Sequence, residues 1–183
     1  MSMQPSFVKV CGLTTQEQID WAIELGYDAV GIVASPRSKR YCPPGKAIEL
    51  AAHARSRIHS FVVAMTSAEA AEVAGHFDTV QLYEMAAIPN LAFSSAHPPE
   101  APELLQYFVY DASIGSGTYQ EIPDWVKEVR TRVLLAGGLT ADNVAGLARL
   151  HNAFGVDVSS GVESAPGVKS PEKMQAFILA ARS

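Results

Sequence analysis

Residues 7–34, FVKVCGLTTQEQIDWAIELGYDAVGIVA, combine a strand, a helix and a second strand in one short stretch. FVKVC and DAVGIVA are apolar runs rich in β-branched residues, which is typical of buried strands. Between them, apolar residues recur every three or four positions, as on one face of a helix. Thr14 with Glu17 forms a capping box that predicts the start of this helix, and Gly26 predicts its end.

The same alternation of strand and helix continues to the end of the chain. Alternating strands and helices indicate parallel strands with helices outside them, and a count of eight favours a closed (β/α)8 TIM barrel over an open doubly wound sheet. We therefore expect one barrel domain over residues 1–183. The eight predicted strands are FVKVC, DAVGIVA, IHSFVVAM, TVQLY, LAFSS, YFVYD, RVLLA and FGVDVSS.

The length of the chain predicts that this barrel is trimmed. It has 183 residues, whereas such barrels usually have about 200 or more. Residues 84–106 are rich in proline and show no helical period, so outer helices 4 and 5 are expected to be reduced there. A further helix is predicted over residues 67–77, opened by a capping box of Thr66 with Glu69.

Charge and composition restrict the class of partner. The formal net charge is −5, which makes general binding of nucleic acid or of an anionic membrane surface unexpected. No apolar run approaches the roughly 20 residues that span a bilayer. The first residues, MSMQPSF, lack the order of a secretory signal, so a cytoplasmic protein is expected.

Cysteine and histidine usage indicates neither a disulfide framework nor a metal site. The only cysteines are Cys11 and Cys42, which are expected to be reduced thiols, with Cys42 structural. The five histidines lie far apart in the sequence, so no structural zinc site is expected.

Several polar residues fall at predicted strand ends, where barrel enzymes place their reactive groups. The AGGL and DVSSGVES segments carry small residues whose amides could approach a phosphate closely. The other candidates have alternative interpretations. Cys11 could be buried packing, Asp111 could cap its own loop, and Arg40 lies in a basic run that could be solvated surface.

Seven sequence blocks share a family pattern and cover nearly the whole chain: KVCGLTT, GYDAVGIV, SPRSKRY, TVQL, YDASIGSG, LLAGGLTADNV and GVDVSSGVESAPGVKS. In this order they resemble the phosphoribosylanthranilate isomerases of tryptophan biosynthesis. The resemblance implies an Amadori rearrangement without a cofactor, acting on a small phosphorylated substrate. It also implies a monomer or a homodimer.

The resemblance assigns roles to the strand-end residues. It implies that Cys11 is the general base, that Asp111 is the general acid and that Arg40 holds the anthranilate carboxylate. Lys9 lies on the same strand face as Cys11 and is a candidate for the positive charge that would favour its thiolate. The implied substrate-binding residues are Arg40, Gln81, Tyr83, Gly137, Gly138, Asp157, Ser159, Ser160 and Gly161.

The chain departs from the family pattern after the fourth strand. The family usually reads VQLHG there, whereas this chain has Tyr83 and Glu84 in place of the histidine and glycine. An altered substrate contact is expected from Tyr83, and the shortened residues 84–106 could be covered by self-association. Two rivals remain. One is a catalytically weakened barrel that only binds a small molecule or a partner. The other is the related isomerase of histidine biosynthesis, which has an aspartate in place of Cys11.

Overall fold

Eight parallel strands form a closed barrel in which each strand pairs with its sequence neighbour and β1 pairs with β8. The computed structural model describes residues 5–114 and 116–183, so residues 1–4 and Gly115 of the glycine-rich loop lie outside the described residues. The TIM barrel expected from the alternation is confirmed. Its strands are β1 Phe7–Cys11, β2 Ala29–Val33, β3 His59–Ala64, β4 Thr79–Leu82, β5 Leu91–Ser95, β6 Tyr107–Tyr110, β7 Val133–Leu135 and β8 Gly155–Val158.

The outer layer is thinner than in a complete barrel. Among the described residues, no α-helix lies between β4 and β7, as expected for the segment 84–106. The trimming extends further than predicted, because the helix after β3 ends at Ala70 rather than near residue 77. The α-helices are α1 Gln16–Leu25, α2 Pro44–Ala54, α3 Ser67–Ala70, α4 Val144–Leu150 and α5 Pro171–Ala181. Short 3-10 turns occupy Ala74–His76, Pro102–Leu104, Asp124–Glu128 and Ser160–Val162, and a small hairpin pairs β9 Glu163–Ala165 with β10 Val168–Lys169.

Helix α1 begins one residue later than the predicted capping box. The Thr15 hydroxyl, not that of Thr14, accepts a hydrogen bond from the amide of Gln18 at 3.2 Å. The Gln18 side chain in turn accepts from the amide of Thr14 at 2.8 Å. This is a variant of the capping box with Thr15 and Gln18 in place of Thr14 and Glu17, in which the glutamine bonds the amide one residue before the N-cap. The predicted end is correct, since Gly26 caps the helix at a φ of 83°.

The outer face of β4, β5 and β6 is covered without α-helices. Outward-facing side chains of these strands, such as Leu82 and Phe108, remain fully buried. Ile88, from the β4–β5 connection, and Trp125, from a 3-10 turn, pack against this layer. The Trp125 ring lies 6.1 Å from that of Phe108 and 5.7 Å from that of Tyr110, centroid to centroid. Irregular segments thus bury the apolar wall that helices would otherwise cover.

The end of the barrel where the strands begin is filled by aromatic rings. The Phe7 ring lies 5.5 Å from that of Tyr107 and 5.8 Å from that of Phe154. The Arg132 guanidinium lies over the Phe154 ring at 5.4 Å. Packing at this end leaves the opposite, carboxyl end of the strands to form the cavity. None of the helices in the described residues is long and apolar enough to cross a membrane.

Candidate active site

A cavity of about 890 Å³ opens at the carboxyl ends of the barrel strands. It brings together side chains that are widely separated in the sequence. Of the predicted site residues, those lining it are Cys11, Arg40, Gln81, Tyr83, Asp111, Gly137, Gly138, Asp157, Ser159 and Ser160. Gly161 does not line the cavity. It lies against the carbonyl oxygen of Leu139, so close that a side chain would collide with it.

Cys11 ends β1, and its thiol points toward the cavity beside Lys9. The parallel register places Cys11 opposite Gly31 on β2. A Cβ atom on Gly31 would lie 2.8 Å from the Cys11 Sγ and 3.1 Å from the Lys9 Nζ. The missing side chain of Gly31 therefore provides the space in which the thiol and the ammonium meet.

Lys9 is fully buried inside the barrel and is paired across the β1–β8 seam. Its Nζ donates a hydrogen bond to the Asp157 Oδ2 at 2.7 Å, between residues that lie opposite each other in the register. Its ammonium also lies 5.1 Å from the centre of the Phe61 ring. Burial disfavours the ammonium, but the Asp157 carboxylate and the Cys11 sulfur outweigh this cost and raise the pKa of Lys9. A positive charge therefore stands next to the candidate base.

The charge of Lys9 does not by itself make Cys11 a thiolate. Burial is the largest effect, and it raises the pKa of the Cys11 thiol above 9.0, although Lys9 and Lys169 act in the opposite direction. Lys9, the candidate for the positive charge that favours the thiolate, therefore acts in that direction without outweighing burial in the protein without substrate. A further positive charge in the cavity would favour the thiolate.

Asp111 follows β6 and is held from both of its oxygens. The amide and the hydroxyl of Ser113 donate to Oδ1 at 2.9 and 2.6 Å. The phenol of Tyr83, which follows β4, donates to Oδ2 at 2.6 Å. Asp111 does bond within its own loop, as its alternative interpretation stated, but it also lines the cavity. The carboxyl group therefore has a fixed orientation toward the space that a substrate would fill.

Arg40 is part of a buried ionic cluster rather than a solvated basic run. Its Nε and Nη2 donate to the two carboxylate oxygens of Glu163 at 2.7 and 2.8 Å. Lys169 donates to the same Glu163 carboxylate at 2.8 Å and to the carbonyl of Ser159 at 3.1 Å. Burial alone would raise the pKa of Glu163, but Arg40 and Lys169 outweigh it and hold that pKa below its usual value. Arg40 thus lines the cavity with its guanidinium held in one orientation by Glu163.

Sequence reasoning missed the residues that support this site. Glu163, Lys169 and Ser113 were assigned no role, although all three lie in the quoted family blocks. Charged residues within a loop of small residues were the available signal at Glu163 and Lys169. Their partner Arg40 is separated from Glu163 by 123 positions in the sequence, so no local pattern indicated the pairing.

The loops after β7 and β8 form one wall of the cavity. Gly137 and Gly138 both adopt positive φ, 85° and 71°, a region that glycine enters without strain. The Asn143 side chain fixes this loop by donating to the Gly138 carbonyl at 3.1 Å. The Gly137 and Gly138 amides donate to no acceptor in the described part of the chain. Free amides beside Ser159 and Ser160 suit an anion such as a phosphate.

Two buried oxygen atoms in the barrel have no hydrogen-bond partner among residues 5–114 and 116–183. They are the Gln81 Oε1 and the Asp157 Oδ1. The other atoms of both groups are engaged, because the Gln81 amide nitrogen donates to the Ser94 hydroxyl at 3.0 Å and Asp157 binds Lys9. Buried acceptors of this kind suit a ligand that brings hydroxyl donors.

The chain matches known proteins over nearly its whole length. Residues 92–180 match the family model described as N-(5'phosphoribosyl)anthranilate (PRA) isomerase. An N-(5'-phosphoribosyl)anthranilate isomerase of Rhodopseudomonas palustris is 35% identical, covering 98% of this chain and 97% of the relative. One of Beijerinckia indica is 34% identical, covering 97% and 95%.

Solved structures agree with the sequence relatives. TrpF from Jonesia denitrificans superposes with a TM-score of 0.82 at 35% identity, covering 96% of each chain. A phosphoribosyl anthranilate isomerase in complex with reduced 1-(o-carboxyphenylamino)-1-deoxyribulose 5-phosphate superposes with a TM-score of 0.70 at 28% identity, covering 96% and 97%. On these likenesses, the chain belongs to the family of N-(5'-phosphoribosyl)anthranilate isomerases of tryptophan biosynthesis.

Proposed function

We propose that Asp111 and Cys11 act as the acid and the base in the Amadori rearrangement of N-(5'-phosphoribosyl)anthranilate, without a cofactor. The observation that carries this assignment is that one cavity holds both side chains, at the ends of β6 and β1. The rearrangement needs a proton donor at the ribose ring oxygen and a proton acceptor at C2′. A carboxylic acid and a thiol at separate positions meet both needs.

Asp111 carries out the first step. Its carboxyl group gives a proton to the ribose ring oxygen, the bond between C1′ and that oxygen breaks, and the lone pair of the anthranilate nitrogen forms a C1′=N bond. The products are an open-chain Schiff base with a positive charge and an Asp111 carboxylate. The bonds from Ser113 and Tyr83 keep this carboxyl group in one orientation during the transfer.

Cys11 carries out the second step. Its thiolate removes the proton from C2′, the C–H electron pair forms a C1′=C2′ bond, and the C1′=N electrons return to nitrogen. The enolamine then tautomerises to the ketone. The thiol first loses its proton to solvent through the open cavity, and the positive charge of the Schiff base, added to that of Lys9, favours the resulting thiolate. Burial of the thiol in the free protein therefore does not prevent its use as a base.

The remaining cavity residues hold the two ends of the substrate. Arg40 binds the anthranilate carboxylate, because its planar guanidinium suits a planar anion and Glu163 fixes its direction. Gly137, Gly138, Ser159 and Ser160 bind the phosphate through amides and hydroxyls, and the adjoining Gly161 lets their loops approach. Gln81 and Asp157 accept hydrogen bonds from the ribose hydroxyls at their unpartnered oxygens.

The setting of the reaction is also part of the proposal. A small phosphorylated substrate, supported by the phosphorylated analogue in the solved family complex, fits the anion-binding loops. A dimeric form is described for the isomerase of Thermotoga maritima, which supports a monomer or a homodimer here. A cytoplasmic location follows from the biosynthetic role.

The test is turnover of freshly generated phosphoribosylanthranilate, followed by its loss of fluorescence. We expect activity in the wild type and a loss of about 10²–10⁴-fold in Asp111→Asn. An unchanged rate in the variant would remove Asp111 from the mechanism. No activity in a well-folded wild type would instead favour a barrel that binds without turnover.

A further inference from the structure

We propose that Tyr83 is a positioning residue that acts on the reaction through Asp111 rather than through the substrate. Its phenol stabilises the carboxylate that forms when Asp111 gives up its proton. This inference rests on the proposed role of Asp111 as the acid, and it changes the expectation that Tyr83 contacts the substrate.

The barrel geometry brings the two residues together from strands that are not adjacent. Tyr83 directly follows β4 and Asp111 directly follows β6, with β5 between them. Strand β5, Leu91–Ser95, ends between them in two small residues, Ser94 and Ser95. The Tyr83 hydroxyl reaches the Asp111 Oδ2 at 2.6 Å, a length typical of strong O–H···O⁻ bonds.

Tyr83 keeps its proton under working conditions, so it can donate a hydrogen bond to the Asp111 carboxylate as that carboxylate forms. Burial and the adjacent Asp111 carboxyl raise the pKa of Tyr83 well above its usual 10.0. Ser113 donates to the Asp111 Oδ1, and the Tyr83 phenol donates to the other oxygen, Oδ2. The two contacts together fix both the position and the plane of the carboxyl group.

The contribution to rate comes from the difference between the two states of Asp111. A phenol binds a neutral carboxylic acid weakly and a carboxylate about twice as strongly. As the proton moves to the ribose ring oxygen, negative charge grows on Asp111 and the bond from Tyr83 strengthens. An interaction that is stronger in the transition state than in the ground state raises kcat.

The segment that follows Tyr83 is anchored in a way that keeps the phenol in place. The Glu84 carboxylate accepts hydrogen bonds from the amide and the hydroxyl of Ser67, the latter at 2.6 Å. Ser67 is the first residue of α3, so the shortened β4–β5 connection is tied to the neighbouring helix start. Both residues that depart from the VQLHG pattern therefore have a defined partner.

The test is Tyr83→Phe, which removes only the hydroxyl. We expect kcat to fall about 10- to 100-fold, as for the loss of a hydrogen bond to a charged group, while KM changes less than about threefold. The matched control is Tyr110→Phe. Tyr110 precedes Asp111 on β6, but its hydroxyl lies near the Glu121 carbonyl at 3.4 Å, so its kcat should be unchanged.

A double-mutant cycle with Asp111→Asn separates action through Asp111 from contact with the substrate. If Tyr83 acts through Asp111, Tyr83→Phe should have no further effect on the rate of Asp111→Asn, measured in single turnovers with enzyme in excess. Additive losses, a loss confined to KM, or a wild-type kcat in Tyr83→Phe would each overturn the inference. These outcomes require an active wild type, whereas failure of the proposed function would appear as an inactive one.

Discussion

The Glu163 carboxylate accepts two hydrogen bonds from one edge of the Arg40 guanidinium, with Nε–Oε1 and Nη2–Oε2 distances of 2.7 and 2.8 Å. The Nη1 atom makes no hydrogen bond to the described part of the chain, and Arg40 lines the cavity. One edge of the fork is therefore fixed by the protein, and the other is available to an anion. This arrangement orders the guanidinium in advance, which would lower the entropy cost of the proposed binding of a carboxylate.

Replacing Arg40 should weaken binding more than it slows the chemistry. Arg40→Lys keeps the charge but cannot bind Glu163 and a second carboxylate with a planar fork. We expect KM to rise about 10- to 100-fold, with kcat within about threefold, from the loss of a charged hydrogen bond. Steady-state kinetics and calorimetric binding of the reduced product analogue measure this. A variant that bound normally would show that Arg40 does not hold the anthranilate carboxylate.

The Glu163 cluster should make stability fall in acid. The pKa of Glu163 is held below its ordinary value of 4.5, so the unfolded chain takes up a proton before the folded protein does. This contribution to stability is complete above pH 4.5 and is lost as pH falls through the lower folded value. Urea unfolding from pH 7 to pH 3 measures it.

Glu163→Gln should flatten that acid decline and lower the free energy of unfolding at pH 7 by about 3 kcal/mol, because Arg40 and Lys169 lose their shared partner. Asp124→Asn is the control, since Asp124 is exposed and forms a surface ion pair with Lys127. An acid decline of the same size in Glu163→Gln would assign it to other carboxylates.

Cys11→Ser should abolish most turnover and leave binding near normal. The serine hydroxyl is too weak an acid to supply an anionic base, so kcat should fall about 10²–10⁴-fold. Binding of the reduced product analogue should be unchanged, because the proposed role of Cys11 is confined to proton transfer. Wild-type turnover in this variant would exclude Cys11 as the base.

The free Cys11 thiol should react slowly at neutral pH. Because burial raises its pKa above 9.0, its alkylation by iodoacetamide should accelerate through pH 9 and beyond. The rate is followed by mass spectrometry in Cys42→Ser, which removes the second buried thiol. An alkylation rate that is half-maximal near pH 7 would show instead that the effect of Lys9 on the pKa of Cys11 is larger than that of burial.

Gly31→Ala should directly displace Cys11, the proposed base. The new methyl group would lie 2.8 Å from the Cys11 Sγ and 3.1 Å from the Lys9 Nζ, so both must move. We expect a loss of about 1–3 kcal/mol in the free energy of unfolding and about 100-fold in kcat. Gly146→Ala is the control. A Cβ there meets nothing within 4 Å in α4, so it should stabilise the protein by about 0.5–1 kcal/mol without changing kcat.

The strands could be predicted from the sequence because each is a short apolar run. The lengths of the outer helices were harder to predict. The prediction failed at residues 67–77, where a good capping box opens a helix that ends at Ala70. Capping determines where a helix can begin, but its length depends on the surface it packs against. That surface is a tertiary property, so the extra trimming could not be read from local pattern.

The lining of the cavity was predictable where strand ends and family blocks coincide, as at Cys11 and Asp111. What escaped prediction is how these groups are held. The contacts of Arg40 with Glu163 and of Tyr83 with Asp111 join distant parts of the chain, and no local period encodes them. The raised pKa of Cys11 could not be predicted either, because desolvation depends on the finished barrel.

The β1–β8 seam gives the order of biosynthesis a consequence for activity. All strand pairs of the barrel except β1–β8 join neighbours in the sequence. These pairs can therefore form in order as the chain leaves the ribosome. One edge of strand β1 keeps its backbone groups unpaired until β8 has been synthesised. Asp157, which pairs with Lys9, and Ser159, whose hydroxyl donates to the Cys11 carbonyl at 3.0 Å, both come from that last stretch. A nascent or truncated chain would therefore carry the thiol without its finished surroundings, and catalysis would begin only once the whole ring has closed.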